Sequence, residues 1–463
     1  MHFRVIKEND LFLLTDLAGD IPASQQEGLG LYMQDTRFLS RMELLINGRK
    51  PIVLASEDDR NYMSTIILTN PHMEEGDRLV LRRESIELRR TRYIYKDVLY
   101  ESIRVANYSP HACSFDISLQ FDADFTDMFV VRGFMDGKLG TRTGKRVDRD
   151  GIAMGYDGSD GIRRELRIGW SGHSGNAGPD GKVTFPLTLD AAQQTEILFH
   201  IVPMVNGVQP KLYPMDEALA SLRDDYRNWL ASATTLETDL PMVDALYCRG
   251  MRDLRMLMTD IGYGPFPVAG LPWFAVPFGR DSLITALQML PVKPEVALGT
   301  LRTMARYQGD KVDPWRDEQP GKIMHELRRG ELSNTDQVPF TPYFGTIDAT
   351  PLFLVLLAEY VKWTEDYGVL KELMPNVRRA LDWIDRYGCR DKSGFVAYFQ
   401  ESSKGIANQG WKDSSDSVVH RDGQYAQAPI ALVEVQGYVY QAIEIISFMI
   451  GIRASPTGCP AGS

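Results

Sequence analysis

The sequence predicts two kinds of structure in series: an antiparallel β-sandwich over residues 1–205, then a helical toroid from residue 241 onward. In the first part apolar residues recur at every second position, and in the second they recur with the helical period of 3.6. Polar loops of the helical part also repeat at a spacing of 65–67 residues. These three observations predict a multidomain β-plus-α fold, with residues 206–240 as a linker that contains one helix.

The β prediction depends on short alternating segments that are separated by turns. Phe115, Ile117, Leu119 and Phe121 alternate with polar residues, and the same pattern runs through residues 183–189. Stretches rich in Gly and Asp lie between these segments. Many short strands with turns between them are typical of an antiparallel sandwich.

The helical prediction follows from the 3.6-residue period and from two long connections. Helices are predicted at 215–231, 241–260, 282–290, 294–307, 350–363, 367–387 and 429–449. The long connections, 308–348 and 388–428, are rich in Gly, Pro, Trp and charge. Asp348 lies 67 residues after Asp281, and Asp413 lies 65 residues after Asp348. A repeat of two helices and one long loop is typical of a toroid whose loops emerge at one end, so we expect their polar residues to share a cleft.

Composition and charge narrow the possible functions. The chain has 463 residues, 51 Lys+Arg and 62 Asp+Glu, and a net charge of −11. This balance speaks against a nucleic-acid partner, and against polyanionic substrates unless a local basic pocket binds one. No signal-peptide core and no run of about 18 apolar residues occurs, so we expect a cytoplasmic protein without a membrane partner.

The sequence indicates neither a metal nor a cofactor. The four cysteines are far apart without a C-x-x-C pair, and the seven histidines are scattered. Gly28 and Gly30 lack the third glycine of a dinucleotide-binding loop, and no Walker A motif occurs. We therefore expect no metal site and no cofactor.

The loop before the second predicted helix of the toroid contains Trp273, Arg280 and Asp281. An arginine and an aspartate beside a tryptophan supply donors, an acceptor and a stacking face, which is the mixture that sugar recognition needs. Two alternatives stay open: Asp281 or Ser282 serves as a helix N-cap, or Arg280 and Asp281 form a structural ion pair.

The second long loop contains His325, Glu326 and Arg328 and ends at Asp348. Asp348 precedes Thr350-Pro351, which is a favourable helix start, so an N-cap role is its alternative. The alternative to a binding role for the charged residues around His325 is that they form a solvent-exposed face. Their position in the same class of loop favours a binding role.

The third long loop contains Trp411, Lys412, Asp413 and Asp416. Cleavage of a glycosidic bond needs one carboxylic acid that protonates the leaving oxygen and a second carboxylate that activates water or attacks. An aromatic neighbour that excludes water raises the pKa of such an acid. The alternative for Asp416 is a loop cap.

The last predicted helix places two polar residues, Glu434 and Gln436, in an otherwise apolar sequence. A polar side chain that is buried in such a helix needs a partner or a ligand. We therefore expect Glu434 to take part in the site.

Five motifs in order then resemble the bacterial and archaeal amylo-α-1,6-glucosidase family, the glycogen-debranching type of the glucoamylase-like clan. The motifs are GLPWF…FGRDS (270–282), PGKIMHELR (320–328), DATPLF (348–353), NQGWKDS (408–414) and VEVQGY (433–438). The N-terminal part is similar to the family's β-rich domain, with Asp35-Thr-Arg37 in the expected early position. The resemblance extends from residue 1 to about residue 450.

The resemblance implies an (α/α)6 glucosidase domain, here residues 241–452, and inverting hydrolysis of α-glucosidic linkages, with α-1,6 branch points of glycogen as substrate. It implies that Arg280 and Asp281 hold the terminal glucose and that Asp413 is the general acid, with Asp416 as second choice. It makes Trp273, His325, Glu326, Arg328, Asp348, Trp411, Lys412 and Glu434 candidate contacts to the α-glucan.

The length of the helical part departs from this family pattern. Six hairpins of this spacing need about 400 residues, and roughly half of that number follows residue 241. Residues 453–463 form an atypical tail without helical period. We therefore expect a C-terminal truncation with the general base beyond Ser463, which would leave this chain inactive by itself.

Two other functions stay open at this point. The first is a trehalase- or invertase-like exo-hydrolase of the same clan. The second is a non-catalytic carbohydrate-binding protein, which the missing base favours.

Overall fold

A computed structural model describes residues 3–24, 28–133, 137–389 and 394–449. The predicted tail, 453–463, lies outside these residues. The chain divides into two compact units. The first comprises Met1–Leu230, Ala245–Met256 and Gly330–Thr335, and the second comprises Ala231–Asp244, Leu257–Arg329 and Asp336–Ser463. The predicted domain boundaries remain predictions.

The first unit is built from antiparallel strands. They are β1 (Arg4–Glu8), β2 (Leu11–Thr15), β3 (Gly30–Met33), β4 (Thr36–Leu39), β5 (Arg41–Ile46), β6 (Ile52–Arg60), β7 (Met63–Thr69), β8 (Met73–Glu75), β9 (Arg78–Leu81), β10 (Ile86–Tyr95), β11 (Val98–Asn107), β12 (Cys113–Asp122), β13 (Thr126–Asp127), β14 (Thr141–Asp148), β15 (Gly151–Asp157), β16 (Arg163–Ser171), β17 (Asn176–Ala177), β18 (Lys182–Leu189) and β19 (Gln194–Val205). The short helices α1 (Met128–Val131) and α6 (Glu331–Asn334) belong to the same unit.

Three main sheets share the core of the first unit. Their strand orders are β14-β15-β16-β19-β11-β10-β7-β6, β1-β2-β3-β4-β13 and β17-β18-β12-β5. The alternating apolar residues of β12, Phe115, Ile117, Leu119 and Phe121, are buried in one cluster with those of β18. In β12 and β18, Ile117 pairs with Phe185. The predicted antiparallel, strand-rich N-terminal region is therefore confirmed.

Helix α2 (Met215–Ala231) coincides with the helix that the period predicts in the linker. Its buried residues Ala218, Leu222, Tyr226 and Trp229 recur at helical spacing, so they form one face. The first three of them pack in one cluster with tyrosines of β10 and β11. This packing places the other faces of α2 toward solvent.

A lysine is buried in the first unit. Lys7 on β1 is 1% exposed, and its Nζ donates a hydrogen bond to the Met256 carbonyl at 3.2 Å. Burial disfavours the ammonium form and lowers the pKa of Lys7 to about 7, although Glu8 and Asp10 oppose the shift. In the unfolded chain the ordinary pKa near 10.5 returns, so the unfolded state binds more protons between pH 7 and pH 10.5.

Replacing Lys7 with methionine is expected to stabilise the protein at pH 7 and to remove a pH dependence. Because the unfolded state holds the extra proton, wild-type stability should rise with pH above 7, by at most about 1.4 kcal/mol per pH unit. Thermal unfolding between pH 7 and pH 9 should show this rise in wild type and a flatter profile in Lys7→Met. Lys50→Met, at an exposed position, is the matched control. An equal slope in both variants would contradict the assignment to Lys7.

The remaining elements are mainly helical, as the sequence predicts. The helices are α3 (Pro241–Leu257), α4 (Gly279–Met289), α5 (Glu295–Arg306), α7 (Ala349–Thr364), α8 (Tyr367–Trp383) and α9 (Val433–Met449). A 3-10 helix covers Pro314–Arg316, a π turn covers Ile384–Gly388, and two short strands, β20 (Met258–Thr259) and β21 (Phe266–Pro267), pair with each other. Each of these helices overlaps a helix that the period predicts.

The helices of the second unit pack in pairs. Helix α4 contacts α7, and α7 contacts α9, so the first helices of successive hairpins lie side by side. Helices α5 and α8 contact each other and α7. Helix α7 is apolar and buried along most of its length, as expected for the centre of such an array. The arrangement fits repeated hairpins, and the closed six-hairpin ring remains a prediction.

Candidate active site

The start of helix α4 positions the first predicted site residues. Phe278 is the N-cap residue, so Asp281 and Ser282 lie inside the helix. The Ser282 hydroxyl donates instead to the Pro267 carbonyl at 2.7 Å. The N-cap alternative for Asp281 and Ser282 is therefore wrong, and Arg280 is fixed in the first turn with 5% of its surface exposed.

The Arg280 guanidinium joins all three loops. Its Nη1 donates to Asp348 Oδ2 at 3.1 Å and to the Gly410 carbonyl at 2.8 Å. Its Nη2 donates to Asp413 Oδ2 at 3.0 Å, and its Cζ lies 5.8 Å from the centre of the Trp411 ring. The predicted convergence of the loops thus has one arginine at its centre, and the partners of Arg280 are Asp348 and Asp413 rather than Asp281.

Asp348 uses its carboxylate for this cluster and not as a helix cap. It occupies the N-cap position of α7, but its side chain makes no capping hydrogen bond. Its Oδ1 accepts a hydrogen bond from the Thr346 hydroxyl at 2.6 Å, and its Oδ2 faces Arg280. With 2% of its surface exposed, Asp348 is a buried charge that needs this partner.

The charges of the cluster shift the pKa values of its members. Burial alone would lower the pKa of Arg280, but the carboxylates of Asp348, Asp281 and Asp413 raise it, and the net shift is upward. Burial raises the pKa of Asp281, and the repulsion from Asp348 and Asp413 adds to this, while Arg280 opposes it. Asp281 is therefore the carboxylate of this group whose environment favours the protonated form.

The segment around His325 is buried, so the solvent-exposed alternative for it is wrong. His325, Glu326 and Arg328 are 4%, 6% and 2% exposed. The His325 carbonyl accepts from the amide of Gly279 at 2.7 Å, which ties this loop to the start of α4. Arg328 Nε donates to Glu326 Oε2 at 2.8 Å, so these two charges form a buried pair.

His325 is held as a neutral ring. Its ring lies edge-on to Phe278 and to Tyr343, with centroid distances of 5.2 and 5.9 Å. Burial and the positive charges of Arg280, Arg328 and Lys322 lower the pKa of His325 well below its usual range. Within the described residues its Nδ1 has no hydrogen-bond partner.

The third loop presents its site residues to solvent. Trp411 is 62% exposed, and the Asp413 side chain is 46% exposed although it pairs with Arg280. Lys412 and Asp416 are exposed, and among the described residues no hydrogen bond or ion pair involves the Asp416 side chain. The structure thus brings Trp411 and Asp413 to Arg280 but gives Lys412 and Asp416 no contact there.

Helix α9 adds a tyrosine to the surroundings of the cluster. Glu434 is partly buried, and Gln436 exchanges hydrogen bonds with the backbone of Val396, which supplies its expected partner. Burial raises the pKa of Tyr438, and the charges of Asp348 and Glu434 raise it further. Tyr438 is the last residue of the VEVQGY motif, but it was not among the predicted site residues. Trp273, in the loop before α4, is partly exposed.

Asp317 connects the second and third loops, and the sequence reasoning missed it. Its carboxylate accepts hydrogen bonds from the Tyr343 hydroxyl at 2.7 Å, the Glu401 amide at 2.6 Å, the Ser402 amide at 3.0 Å and Gln409 Nε2 at 3.2 Å. Asp317 is 1% exposed. In the sequence it follows Trp-Arg in a charged loop, and no local pattern marks it as buried.

The described ranges contain neither a cluster of metal ligands nor a membrane-spanning helix. In residues 3–24, 28–133, 137–389 and 394–449, no group of three His, Cys, Asp or Glu side chains is placed to hold a metal ion. No helix in the same ranges is both long enough and apolar enough to cross a membrane.

The β-rich part is similar to a domain found in other proteins. Residues 6–200 match the N-terminal domain of some glycogen debranching enzymes. This match covers less than half of the chain, and it agrees with the resemblance seen in the sequence motifs.

One solved structure resembles this fold at low sequence identity. A protein assigned as a kojibiose phosphorylase, from the human microbiome, superposes with a TM-score of 0.58 and 9% identity, over 85% of this chain and 58% of that one. The present chain thus spans little more than half the length of that structure. A galactose mutarotase related enzyme from Lactobacillus acidophilus matches 46% of the chain with 10% identity and a TM-score of 0.27. No curated protein matches the chain.

Proposed function

We propose that the protein acts on α-glucans as an amylo-α-1,6-glucosidase-type glycoside hydrolase and binds the terminal glucose at the Arg280 cluster. The observation that carries the proposal is the fork of Arg280 between Asp348 and Asp413, beside the exposed ring of Trp411. Sugar hydroxyls need donors and acceptors in fixed positions, and a sugar ring needs an apolar face. The same proposal includes inversion, a cytoplasmic location and an (α/α)6 ring.

The family model and the fold support this proposal from a separate direction. Residues 6–200 are similar to a domain of glycogen debranching enzymes, and the kojibiose phosphorylase of similar fold bears the name of an enzyme that acts on a disaccharide. The five motifs that resemble the debranching family lie in the second unit. Both parts of the chain therefore favour a glucan as substrate.

We propose Asp413 as the general acid, because it combines partial exposure with a place in the cluster. Its Oδ2 is bound by Arg280, whereas its Oδ1 has no partner among the described residues and can face a ligand. Asp281, whose pKa is raised, is the competing assignment, and Asp416 is the third.

Incubation with a glucan that carries single α-1,6-linked glucose branches tests the function. We expect saturable binding of the glucan; where glucose is released, the rate should fall about 100- to 10,000-fold in Asp413→Asn. Asp281→Asn and Asp416→Asn are measured in parallel, and a larger loss in either one would move the acid to that residue. If the glucan neither binds nor is cleaved, the proposal is wrong.

The same assay separates the alternatives by their products. Glucose 1-phosphate that forms only with added phosphate would indicate phosphorolysis. Cleavage of trehalose or sucrose but not of α-1,6 branches would indicate the trehalase- or invertase-like alternative. Binding without turnover, unchanged in Asp413→Asn, would indicate a non-catalytic carbohydrate-binding protein.

A further inference from the structure

A basic cavity lies in the first unit, beside helix α2. Its volume is about 660 Å³, which is within the range of small-molecule sites. The residues that line it are Tyr62, Arg223, Tyr226, Arg227, Leu230 and Arg252. Three of the six side chains are arginines and none is acidic, although the whole chain has a net charge of −11.

The arginines of this cavity are not accounted for by the stability of the helices. Arg223 and Arg227 are four residues apart on α2, and like charges at this spacing weaken a helix slightly. The last turn of α2 contains no basic residue, so the pair is not placed to complement the helix dipole. Arg227 pairs with Asp224, whereas among the described residues Arg223 and Arg252 have no ion pair.

The aromatic wall of the cavity offers a second kind of contact. The rings of Tyr62 and Tyr226 lie 4.6 Å apart with an angle of 44° between them. Tyr226 is 3% exposed, and within the described part of the chain its hydroxyl has no hydrogen-bond partner. Arg255 lies over the Tyr226 ring and holds it in place. Because Arg255 forms an ion pair with Glu8, it adds no unpaired positive charge to the cavity.

We propose that this cavity binds the phosphate ester of a sugar or a nucleoside. Guanidinium groups bind phosphate through paired hydrogen bonds, so Arg223 and Arg252 are assigned to the phosphate, with Arg227 beside them. The partly buried ring of Tyr62 is assigned to the sugar or base, which stacks on it. The local positive charge of the three arginines lets the cavity bind a small anion, although the net negative charge of the chain repels polyanions.

Calorimetric titration of the full chain with inorganic phosphate, glucose 6-phosphate and AMP tests the proposal. We expect saturable binding of at least one ester, and an affinity at least tenfold lower in the double variant Arg223→Gln/Arg252→Gln. Arg78→Gln, at an exposed arginine without an ion pair among the described residues, is the matched control and should bind as wild type. Preference for glucose 6-phosphate or for AMP identifies the organic part.

Tyr62→Leu tests the aromatic contact separately from the charges. It should weaken binding of the preferred ester severalfold and leave binding of inorganic phosphate unchanged. The proposal is overturned if none of the three compounds binds saturably, or if the double variant binds as wild type. Equal affinity for inorganic phosphate and both esters, unaffected by Tyr62→Leu, would overturn the assignment of an organic ligand.

Discussion

Replacing Arg280 with glutamine is expected to destabilise the protein by about 3–5 kcal/mol, because the change leaves the carboxylate of Asp348 buried without a counter-charge. Asp348 is 2% exposed, and among the described residues it keeps only the Thr346 hydroxyl as a side-chain donor. The hydrogen bond to the Gly410 carbonyl is lost in the same step. Urea unfolding monitored by tryptophan fluorescence measures the effect.

Arg302→Gln provides the matched control for this prediction. Arg302 pairs with Glu372 at 2.8 Å, but both side chains are 40% or more exposed, so the loss should not exceed about 1 kcal/mol. The double variant Arg280→Gln/Asp348→Asn removes both buried charges and should recover part of the stability. Equal losses for Arg280→Gln and Arg302→Gln would show that the Arg280 cluster is not a buried ion network.

Replacing Asp317 with asparagine is the second change with a large expected effect. Four donors converge on the two oxygens of the Asp317 carboxylate. Asparagine replaces one of these acceptor oxygens with an amide NH2 group, which is itself a donor. Each buried donor left without an acceptor costs about 1–3 kcal/mol, so we expect a loss of about 3 kcal/mol or more. Asparagine tolerates the positive φ of this position, 50°, so the loss reports the carboxylate.

Two measurements test whether the effect of Asp317→Asn is specific to its buried carboxylate: the stability of a nearby control variant and the affinity for glucan. Asp313→Asn, four residues earlier, changes a partly exposed cap residue that accepts from the Trp315 amide, and it should cost 1 kcal/mol or less. Because Asp317 holds the third loop through Glu401, Ser402 and Gln409, Asp317→Asn should also weaken glucan binding. A variant as stable as Asp313→Asn would contradict the role assigned to Asp317.

The convergence of the three loops could be predicted from the sequence, because it follows from the 65–67-residue spacing of the helical hairpins. Residues at equivalent positions of successive hairpins emerge at the same end, and Asp348 and Asp413 meet Arg280 accordingly. The partner of Arg280 could not be predicted. Asp281 is its neighbour in sequence, but successive residues of a helix point in different directions, so Arg280 faces the loops instead.

The interior of the long loops could not be predicted from local patterns. Charged residues in a loop usually face solvent, yet Asp317, His325 and Arg328 are all buried. Asp317 and His325 have partners in other loops, and Arg328 pairs with the buried Glu326. The cavity of the first unit was also missed: Arg223 and Arg252 become neighbours only when α2 and α3 pack. The strand-rich region and the helices were predicted correctly, because alternation and helical period depend only on the residues of one segment.

Titration of the protein with an α-1,6-linked gluco-oligosaccharide tests the central claim most directly, since binding does not depend on a complete set of catalytic groups. The account predicts saturable binding in wild type, a loss of at least 100-fold in affinity in Arg280→Gln and in Trp411→Ala, and unchanged affinity in Arg302→Gln. Absence of binding in wild type, or equal affinities in wild type and Arg280→Gln, would contradict the assignment of this cluster to a glucan.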